Sequence, residues 1–556
     1  MFMSKTANTT ADEVFNESTT KDIISLSHLN IVVIILLACM VIFNAWNCDD
    51  SYHSFIMARN LALGNGFVYN HGERVLAATN PFFTILLALA YFCTKEMFYT
   101  SIAVQVAISV FSFGVIMKKF VKSKLQSVLV GIMFMCSVSF MSYATSGLEN
   151  CMLFLLTGIF AAIIFSSEKY DFKRLLMLSF TFSIIAGTRM DSVLIFIPII
   201  VYAFFFKRDT SFSKMFLAGI IGLLPFIGWE IFSLFYYGLL VPNTALIKLN
   251  TGIPKTWYFD RGFQYFYVTL ANDALVVLVP IAISVVSFIK RNTNNALFAF
   301  GIILYQIYIV YIGGDFMMGR HYTVLYYLSV ILLLNIMNEN ARQKYKEVVV
   351  LIVIGGIGII SYLTSEFIGN NLLHTLYNEN HKFCKETTAQ ITDEKSFYYK
   401  FTGFIPNVMS SLGSDSLSDR LLFYKINDKI EEIRKSGYIG GAFNELHGVN
   451  VFYNNDIYLT DQFGLSDPLL SHLPAIVPEK DKFRVGHIKR AFPAGYKESV
   501  RKLNNEIQNE SLHEFYDKII LITRGDLFDK KRLSAIIELN LGKYDYLICD
   551  YLKSSN

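Results

Sequence analysis

The sequence predicts an α-helical polytopic membrane protein, with about 11 membrane-spanning helices and a C-terminal α+β domain outside the cytoplasm. Of the 556 residues, 53% are hydrophobic and only 17% are charged, whereas soluble globular proteins usually carry about 25% charged residues. The apolar residues form runs of roughly bilayer-spanning length, separated by short basic clusters. Hydropathy falls from about Ser365 and does not recover, which predicts one soluble domain over residues 365–556.

The first apolar run, Leu29–Trp46, is predicted to be an uncleaved span. It follows a polar tail, and no small-x-small cleavage site follows it, so it does not match a signal peptide. Residues 1–28 then form a cytoplasmic tail, and residues 29–364 form the transmembrane domain. The net charge of +4 is small, and the basic residues lie between apolar runs, so no nucleic-acid partner is predicted.

The basic cluster Lys118–Lys124 determines how the early segments cross the membrane. It follows two apolar segments, Pro81–Cys93 and Thr100–Met117. If both crossed, this cluster and later basic loops would lie outside, against the positive-inside rule. A segment the length of Pro81–Cys93 reaches only about 20 Å as a helix, too short for a core of about 30 Å. It is therefore predicted to be an interfacial or re-entrant helix within the outer loop 47–99.

The remaining runs alternate across the membrane and place the N-terminus inside and the C-terminal domain outside. The predicted spans are Leu29–Trp46, Thr100–Met117, Leu125–Tyr143, Cys151–Ser166, Leu175–Gly187, Val193–Phe206, Met215–Tyr237, Asn272–Ile289, Ala296–Ile312, Tyr322–Met337 and Val348–Thr364. The outer loops are Asn47–Tyr99, Ala144–Asn150, Thr188–Ser192, Gly238–Ala271 and Gly313–His321. In the soluble domain, Leu417–Lys435 reads as helix, and Lys518–Thr523 and Tyr544–Cys549 read as strands.

Two outer loops carry ionisable residues in unusual places. The spans around Thr188–Ser192 are short, so Arg189 and Asp191 are expected below the membrane surface, where ionisable groups usually line a cavity. An Arg–Asp pair that only staples two helix ends is the alternative. Asp49 and Asp50 directly follow the first span. Such a pair suits general-base catalysis, binding of a cation or sugar hydroxyl, or simple anchoring of the span end in water.

The first outer loop, DDSYHSFIMARNLALGNGFVYNHGERVLAATNPFFTILLAL, resembles that of bacterial glycosyltransferases of the GT-C superfamily, most of all the cell-wall terminal arabinofuranosyltransferase group. The pieces that match are Asp49-Asp50, Arg59-Asn60, Gly64-Asn65-Gly66, Asn70-His71-Gly72-Glu73-Arg74 and Pro81. Later pieces follow in order: Ser146-Gly147-Leu148-Glu149, Thr188-Arg189-Met190-Asp191, Pro242-Asn243-Thr244, Gly313-Gly314-Asp315-Phe316, Gly319-Arg320, Asp461–Pro468 and Gly486–Arg490. The resemblance ends at about Tyr496, and Met190 stands where the family has Pro.

The resemblance implies an inverting transferase in the bacterial inner (plasma) membrane. It would move a single sugar, arabinofuranose in the group it most resembles, from a polyprenyl-phosphate donor to an envelope glycan, lipid or protein acceptor. The lipid phosphate leaves readily without a general acid, but the acceptor hydroxyl needs a base. The resemblance assigns that role to Asp49, with Asp50 as its supporting neighbour.

The leaving phosphate of such a donor requires cations nearby. The candidates on the outer side are Arg59, Arg189, Arg320 and His321. Further substrate-binding candidates are Arg74, Glu149, Asp191 and Asp315, of which Asp315 is a candidate for the acceptor or for a divalent cation. His472 and His487 are candidates to face the acceptor. No other cofactor is expected.

A transporter or flippase of lipid-linked sugars is the main alternative. Such proteins show internally repeated halves and ionisable residues in mid-span, and neither is clear here. An oligosaccharyltransferase is a second alternative, but its Trp-Trp-Asp motif is absent, because the three tryptophans, Trp46, Trp229 and Trp257, are far apart.

Overall fold

The computed structural model describes residues 25–167, 169–249, 251–339, 353, 356, 390–411, 440–442, 448–454 and 458–555. Its N-terminal part is a helical bundle. The helices of this part are α1 (Leu26–Phe43), α2 (Ser51–Ala62), α3 (Pro81–Thr94), α4 (Phe98–Lys119), α5 (Lys124–Cys136), α6 (Val138–Tyr143), α7 (Asn150–Phe165), α8 (Phe172–Thr188), α9 (Val193–Phe205), α10 (Phe212–Tyr237), α11 (Asn243–Leu249), α12 (Lys255–Asn272), α13 (Ala274–Lys290), α14 (Thr293–Tyr311) and α15 (Tyr322–Glu339).

The C-terminal part is also mainly helical where the structure describes it. Its helices are α16 (Glu394–Thr402), α17 (Phe404–Ser411), α18 (Gly448–Tyr453), α19 (Tyr496–Lys502), α20 (Glu510–Arg524), α21 (Lys530–Asn540) and α22 (Asp545–Ser555). Two short strands, β1 (Gly440–Ala442) and β2 (Tyr458–Thr460), pair in parallel. The predicted helix Leu417–Lys435 lies outside the described residues.

Both segments predicted as strands in the C-terminal part are helical, so this prediction was wrong. Lys518–Thr523 lies within α20, and Tyr544–Cys549 begins one residue before α22 and continues into it. The buried residues of α20 include Leu512, Phe515, Tyr516, Ile519 and Ile522. Their spacing of three and four residues is helical, and it becomes visible only when the window extends beyond the short apolar run.

Five helices in the described part of the chain are long and apolar enough to cross a membrane, or six if the bent pair α12–α13 counts as one span. This is fewer than the predicted count of about 11. Several further apolar helices are shorter, including Pro81–Thr94 and Asn150–Phe165. Each predicted span overlaps a helix except Val348–Thr364, which lies almost wholly outside the described residues.

The carboxylate of Asp273 links two helix breaks, one between α5 and α6 and one between α12 and α13. The predicted span Leu125–Tyr143 is divided at Ser137, whose backbone is extended and whose side chain caps α6. Asp273 marks the break between α12 and α13, which are bent by 106°. The Ser137 hydroxyl and the Ser139 N–H both donate to Asp273 Oδ2 at 2.8 Å. The predicted span Leu125–Tyr143 is therefore two helices, α5 and α6, because polar groups at the break hydrogen-bond to one another.

The core of the bundle surrounds α15, which is buried along nearly its whole length. Tyr327 stacks within 6.4 Å of the rings of Phe134, Phe140 and Phe154. Its hydroxyl donates to the Ser112 carbonyl at 2.9 Å, so the buried polar atom is satisfied. This packing holds helices from distant parts of the sequence in one body.

The two ends of the bundle differ in their loops. At the first, which we call the basic end, the loops around Lys118–Lys124 and Lys169 meet those of later helices: Asn338 donates to the Phe120 carbonyl at 2.7 Å, and Lys169 pairs with Asp209 at 3.6 Å. At the opposite end, the loop end, the Cys48 N–H donates to the Ser146 carbonyl at 2.8 Å. The C-terminal part packs against the loop end.

Helices α20 and α21 attach the C-terminal part to the end of α10. The Arg532 guanidinium donates to the carbonyls of Phe235 and Tyr236 at 2.9 and 2.8 Å. The Asn540 amide donates to the Gly238 carbonyl at 2.8 Å. Because the last carbonyls of a helix have no partner within it, these contacts satisfy groups that α10 leaves open.

Candidate active site

The Asp49–Asp50 pair lies between α1 and α2, against the loop that carries Ser146-Gly147-Leu148-Glu149. Gly147 has a φ of +83°, and a Cβ there would lie 2.4 Å from the Ser51 hydroxyl. Only glycine fits both this conformation and this close approach. The two motifs therefore pack directly against each other.

The two aspartates have different surroundings. The Gly448 N–H, at the start of α18, donates to Asp49 Oδ1 at 2.5 Å. The side chain of Asp50 accepts no hydrogen bond from the residues that the structure describes. Burial raises the pKa of Asp50, and the charges of His53 and Arg320 oppose this effect. Asp49 is thus held by the C-terminal part, whereas Asp50 faces the charged residues of the loop end.

Glu149 is the centre of a buried group of charges, which we call the ion cluster: Glu149, Arg189, Asp191, Asp315, Arg320 and His321. Its Oε1 accepts from Arg189 Nη1 at 2.8 Å and from Arg320 Nη2 at 3.1 Å, and its Oε2 accepts from the Asn80 amide at 2.8 Å. Burial raises the pKa of Glu149, but the two guanidiniums outweigh it and bring the pKa to about 2. Glu149 is therefore ionised at neutral pH.

The remaining members of the ion cluster are paired as well. Arg189 Nε donates to Asp191 Oδ1 at 2.8 Å, while Asp315 Oδ2 lies 3.5 Å from Arg320 Nη1 and 3.4 Å from His321 Nε2. Burial, followed by the charge of Arg189, lowers the pKa of His321. The ring is neutral at neutral pH, so the cluster contains three carboxylates and two guanidiniums and carries a net negative charge.

The Arg189–Asp191 pair, which was the alternative to a cavity lining, is formed, and Arg189 also bonds to Glu149 on another loop. The side chains of Arg189 and Asp191 are each only 17% exposed, and their position below the membrane surface stays a prediction. Arg189 therefore connects its own loop to the loop that carries Glu149, in addition to pairing with Asp191.

Residues of the C-terminal part lie over the site. Arg484 pairs with Glu394 at 3.0 Å and stacks 4.5 Å from the centre of the Phe316 ring. His487 lies 4.3 Å from the same ring. Burial raises the pKa of Glu394 to about 8, with Arg484 opposing and Asp50 adding to the rise. Glu394 and Arg484 are outside the family-like motifs. Arg484 lies two residues before the motif Gly486–Arg490, which could have pointed to it, whereas the sequence around Glu394 gave no signal of a site.

Arg59 and Arg74 make none of their contacts with the ion cluster. Arg59 donates to the Phe452 carbonyl and lies 4.7 Å from the centre of that ring. Arg74 donates to the carbonyls of Ile522, at 3.2 Å, and Gly525. Both side chains therefore connect the first outer loop to the C-terminal part. His472, 5.5 Å from Phe515, also packs away from the cluster, within the C-terminal core.

Lys248, which follows the Pro242-Asn243-Thr244 motif, is a charged residue that the sequence reasoning missed. It lies within electrostatic range of Asp315, Arg189, Asp191 and Arg320. Its position on α11 could have been noticed as a cation six residues after the proline, but nothing local distinguishes it from an ordinary surface lysine.

Among the residues that the structure describes, no group of three or more His, Cys, Asp or Glu side chains is placed to hold a metal ion. Each carboxylate of the ion cluster is paired with at least one guanidinium.

Two known proteins match this chain. The terminal beta-(1->2)-arabinofuranosyltransferase of Mycobacterium tuberculosis is 25% identical over 534 residues, which cover 81% of this chain and 81% of that protein. The protein of the same name from Corynebacterium glutamicum is 24% identical over 407 residues, covering 64% of this chain and 56% of that protein. No protein-family model and no solved structure matches. The two relatives confirm the resemblance of this chain to the terminal arabinofuranosyltransferase group of the GT-C superfamily.

Proposed function

We propose that this protein is an inverting membrane glycosyltransferase. It moves a single sugar, arabinofuranose, from a polyprenyl-phosphate donor to an envelope glycan, lipid or protein acceptor. The observation that carries the proposal is the Asp49–Asp50 pair beside a buried ion cluster at the loop end. The names of the two relatives support the sugar and the transfer chemistry, and a transporter or flippase has no comparable support.

The proposed reaction needs only one proton transfer by the protein. The acceptor oxygen attacks the anomeric carbon from the side opposite the phosphate, and its proton passes to a carboxylate. The C–O bond to the phosphate breaks with its electron pair, which leaves polyprenyl phosphate and an inverted glycosidic bond. A positioned base typically contributes 10²–10⁴-fold to such a step.

The base is a member of the Asp49–Asp50 pair. The resemblance assigns it to Asp49, whose orientation the Gly448 N–H supports. Asp50, with its raised pKa, supports it from the side of Arg320. The single variants Asp49→Asn and Asp50→Asn separate the two roles: the base variant loses turnover at saturating donor, while the supporting variant loses part of its activity through substrate affinity.

The test of the function is transfer from a synthetic donor by the purified protein. Labelled arabinofuranosyl polyprenyl phosphate is mixed with membrane acceptors, and transfer is measured with the wild type and both variants. A matched donor with another pentose tests the sugar. Failure of the wild type to transfer sugar, together with donor movement across vesicles, would instead favour the flippase.

The proposed topology places the C-terminal part, with its short β1–β2 pair, outside the inner (plasma) membrane. About 11 spans cross the membrane, and α3 lies at its outer interface. The support is the charge of the basic end, which is typical of cytoplasmic loops. Cys549 is exposed, so a membrane-impermeant maleimide should label it in intact cells, with Cys549→Ser as the control. Labelling that requires permeabilised membranes would contradict this topology.

A further inference from the structure

Helix α10 is apolar around most of its circumference, but only one side packs against the protein. It is one of the helices long and apolar enough to cross a membrane. Its buried residues recur at spacings of three, four or seven, which is one face of a helix. The opposite face is exposed, and a membrane-spanning helix of this kind presents such a face to lipid. The residues of this lipid-facing stripe are Leu217, Ile220, Leu224, Ile227 and Ile231.

The stripe continues onto the C-terminal part through two phenylalanines. Phe235 lies one turn after Ile231 on the same face of α10, near the end of the helix. The ring of Phe528, in the loop before α21, lies 5.5 Å from the ring of Phe235, which is within the range of an aromatic pair. Phe528 is nevertheless 77% exposed. The C-terminal part therefore adds an exposed apolar ring where the lipid-facing stripe ends.

Helix α21 adds two further apolar side chains to this surface. Ile537 and Leu541 are about one helical turn apart, and they are 61% and 79% exposed. The buried residues of α21 include Arg532 and Ile536 and lie on the opposite face, which packs against the end of α10. The exposed face therefore points away from the protein. We call Phe528, Ile537 and Leu541 the α21 patch.

The position of the α21 patch favours a lipid bilayer as its partner. Exposed apolar patches mark contacts with proteins or membranes, and this one directly continues the lipid-facing stripe of α10. The exposed charges around it have both signs, because Lys530, Lys531 and Lys543 lie near Asp526 and Asp545 in the sequence. Contact with lipid therefore depends on the burial of apolar side chains and not on attraction to anionic headgroups.

We infer that α21 lies on the bilayer surface at the end of α10 and inserts the α21 patch at the boundary between headgroups and acyl chains. This segment follows Tyr496, where the resemblance to the transferase group ends. The neighbouring α20 holds the first outer loop, because the Arg74 N–H donates to the Thr523 carbonyl at 3.0 Å. The inserted helix therefore ties that loop to the bilayer surface. The inference rests on α10 crossing the membrane and does not depend on sugar transfer.

The experiment is photo-cross-linking of the full chain in vesicles of phosphatidylcholine, whose headgroup has no net charge. Each variant carries p-benzoylphenylalanine in place of Phe528, Ile537 or Leu541. The matched control replaces Leu503, an exposed leucine between α19 and the start of α20, whereas the end of α20 contacts α10. Ile231, on the lipid-facing stripe, is the positive control. Lipid adducts at the α21 patch should exceed those at Leu503 at least about tenfold, since burying a side chain of this size shifts an equilibrium by that factor or more.

Each outcome supports or overturns the inference. Abundant lipid adducts at the α21 patch and at Ile231, with few at Leu503, support it. Equal yields at the patch and at Leu503 overturn it, because the patch then has no special contact with lipid. Cross-links between two chains at the patch positions also overturn it and assign the patch to a second copy of the protein. A lack of adducts at Ile231 overturns it as well, because α10 then does not face lipid. Thermal unfolding of each variant confirms that the proteins compared are folded.

Discussion

The two ends of the helical bundle contain the same kinds of charged residues in opposite environments. At the basic end, Lys169 and Asp209 form a pair whose side chains are 79% and 58% exposed. At the loop end, Glu149 is 1% exposed and its arginine partners are 17% and 11% exposed. Exposed pairs contribute little to stability, whereas a broken buried pair is strongly destabilising.

This difference shows that exposed and buried charged residues have different roles in a membrane protein. Exposed lysines and arginines at the basic end need no specific partner to favour one side of the membrane. The buried charges at the loop end pair with partners from several loops. Substitutions of the same type at the two ends should therefore have very different effects.

The largest effect is expected on activity. Asp49→Asn should slow sugar transfer about 10²–10⁴-fold, since it removes a basic carboxylate and keeps its size. Asp209→Asn, the matched change at the basic end, should transfer at close to the wild-type rate. The assay is turnover of a labelled polyprenyl-phosphate donor. Near-normal turnover by folded Asp49→Asn protein would remove the case for this carboxylate as the base.

A smaller effect is expected on stability. Glu149→Ala should destabilise the fold by about 3–5 kcal/mol, because Arg189 and Arg320 both lose a buried partner. Glu339→Ala, where the carboxylate is exposed and accepts from Asn292, should change stability by no more than about 0.5 kcal/mol. Unfolding in detergent, followed by fluorescence, measures both. Equal losses would show that the two ends do not differ as described.

An effect of similar size, spread over several pH units, is expected in the pH dependence of unfolding. Burial raises the pKa of Glu394 in the folded state to about 8, well above the ordinary value near 4.3. Its contribution to stability is therefore full below about pH 4.3 and is lost as the pH rises through about 8. Glu394→Gln should lose less stability than the wild type between pH 5 and 9. An unchanged pH profile would mean that Glu394 ionises normally.

The motif order in the sequence predicted which loops gather, and the structure brings Glu149, Arg189, Asp315 and Arg320 together. The motif order could predict this because each residue lies in a short loop between apolar helices, and such loops alternate between the two sides of the membrane. The roles of Arg59 and Arg74 could not be read in this way. Both contact backbone carbonyls of the C-terminal part. Since every residue has such a carbonyl, the sequence does not show which ones accept a hydrogen bond from an arginine.

Residues supplied by the C-terminal part were the least predictable. Glu394 and Arg484 contact each other across 90 positions of the sequence, and their local sequence is that of an ordinary polar surface. The strands predicted at Lys518–Thr523 and Tyr544–Cys549 failed for a related reason. Short apolar runs fit a strand or one face of a helix equally well, and only the packing of α20 and α22 against each other selects the helix.

The hydrogen bond from Gly448 to Asp49 joins residues 399 positions apart. Asp49 is synthesised early, but its partner Gly448 is synthesised only after all the helices of the bundle. Contacts of such long range form late, because a large loop must close before they contribute. Under the proposed function, a newly made chain would therefore hold an incomplete Asp49–Asp50 pair, and would become active only when α18 reaches the first loop.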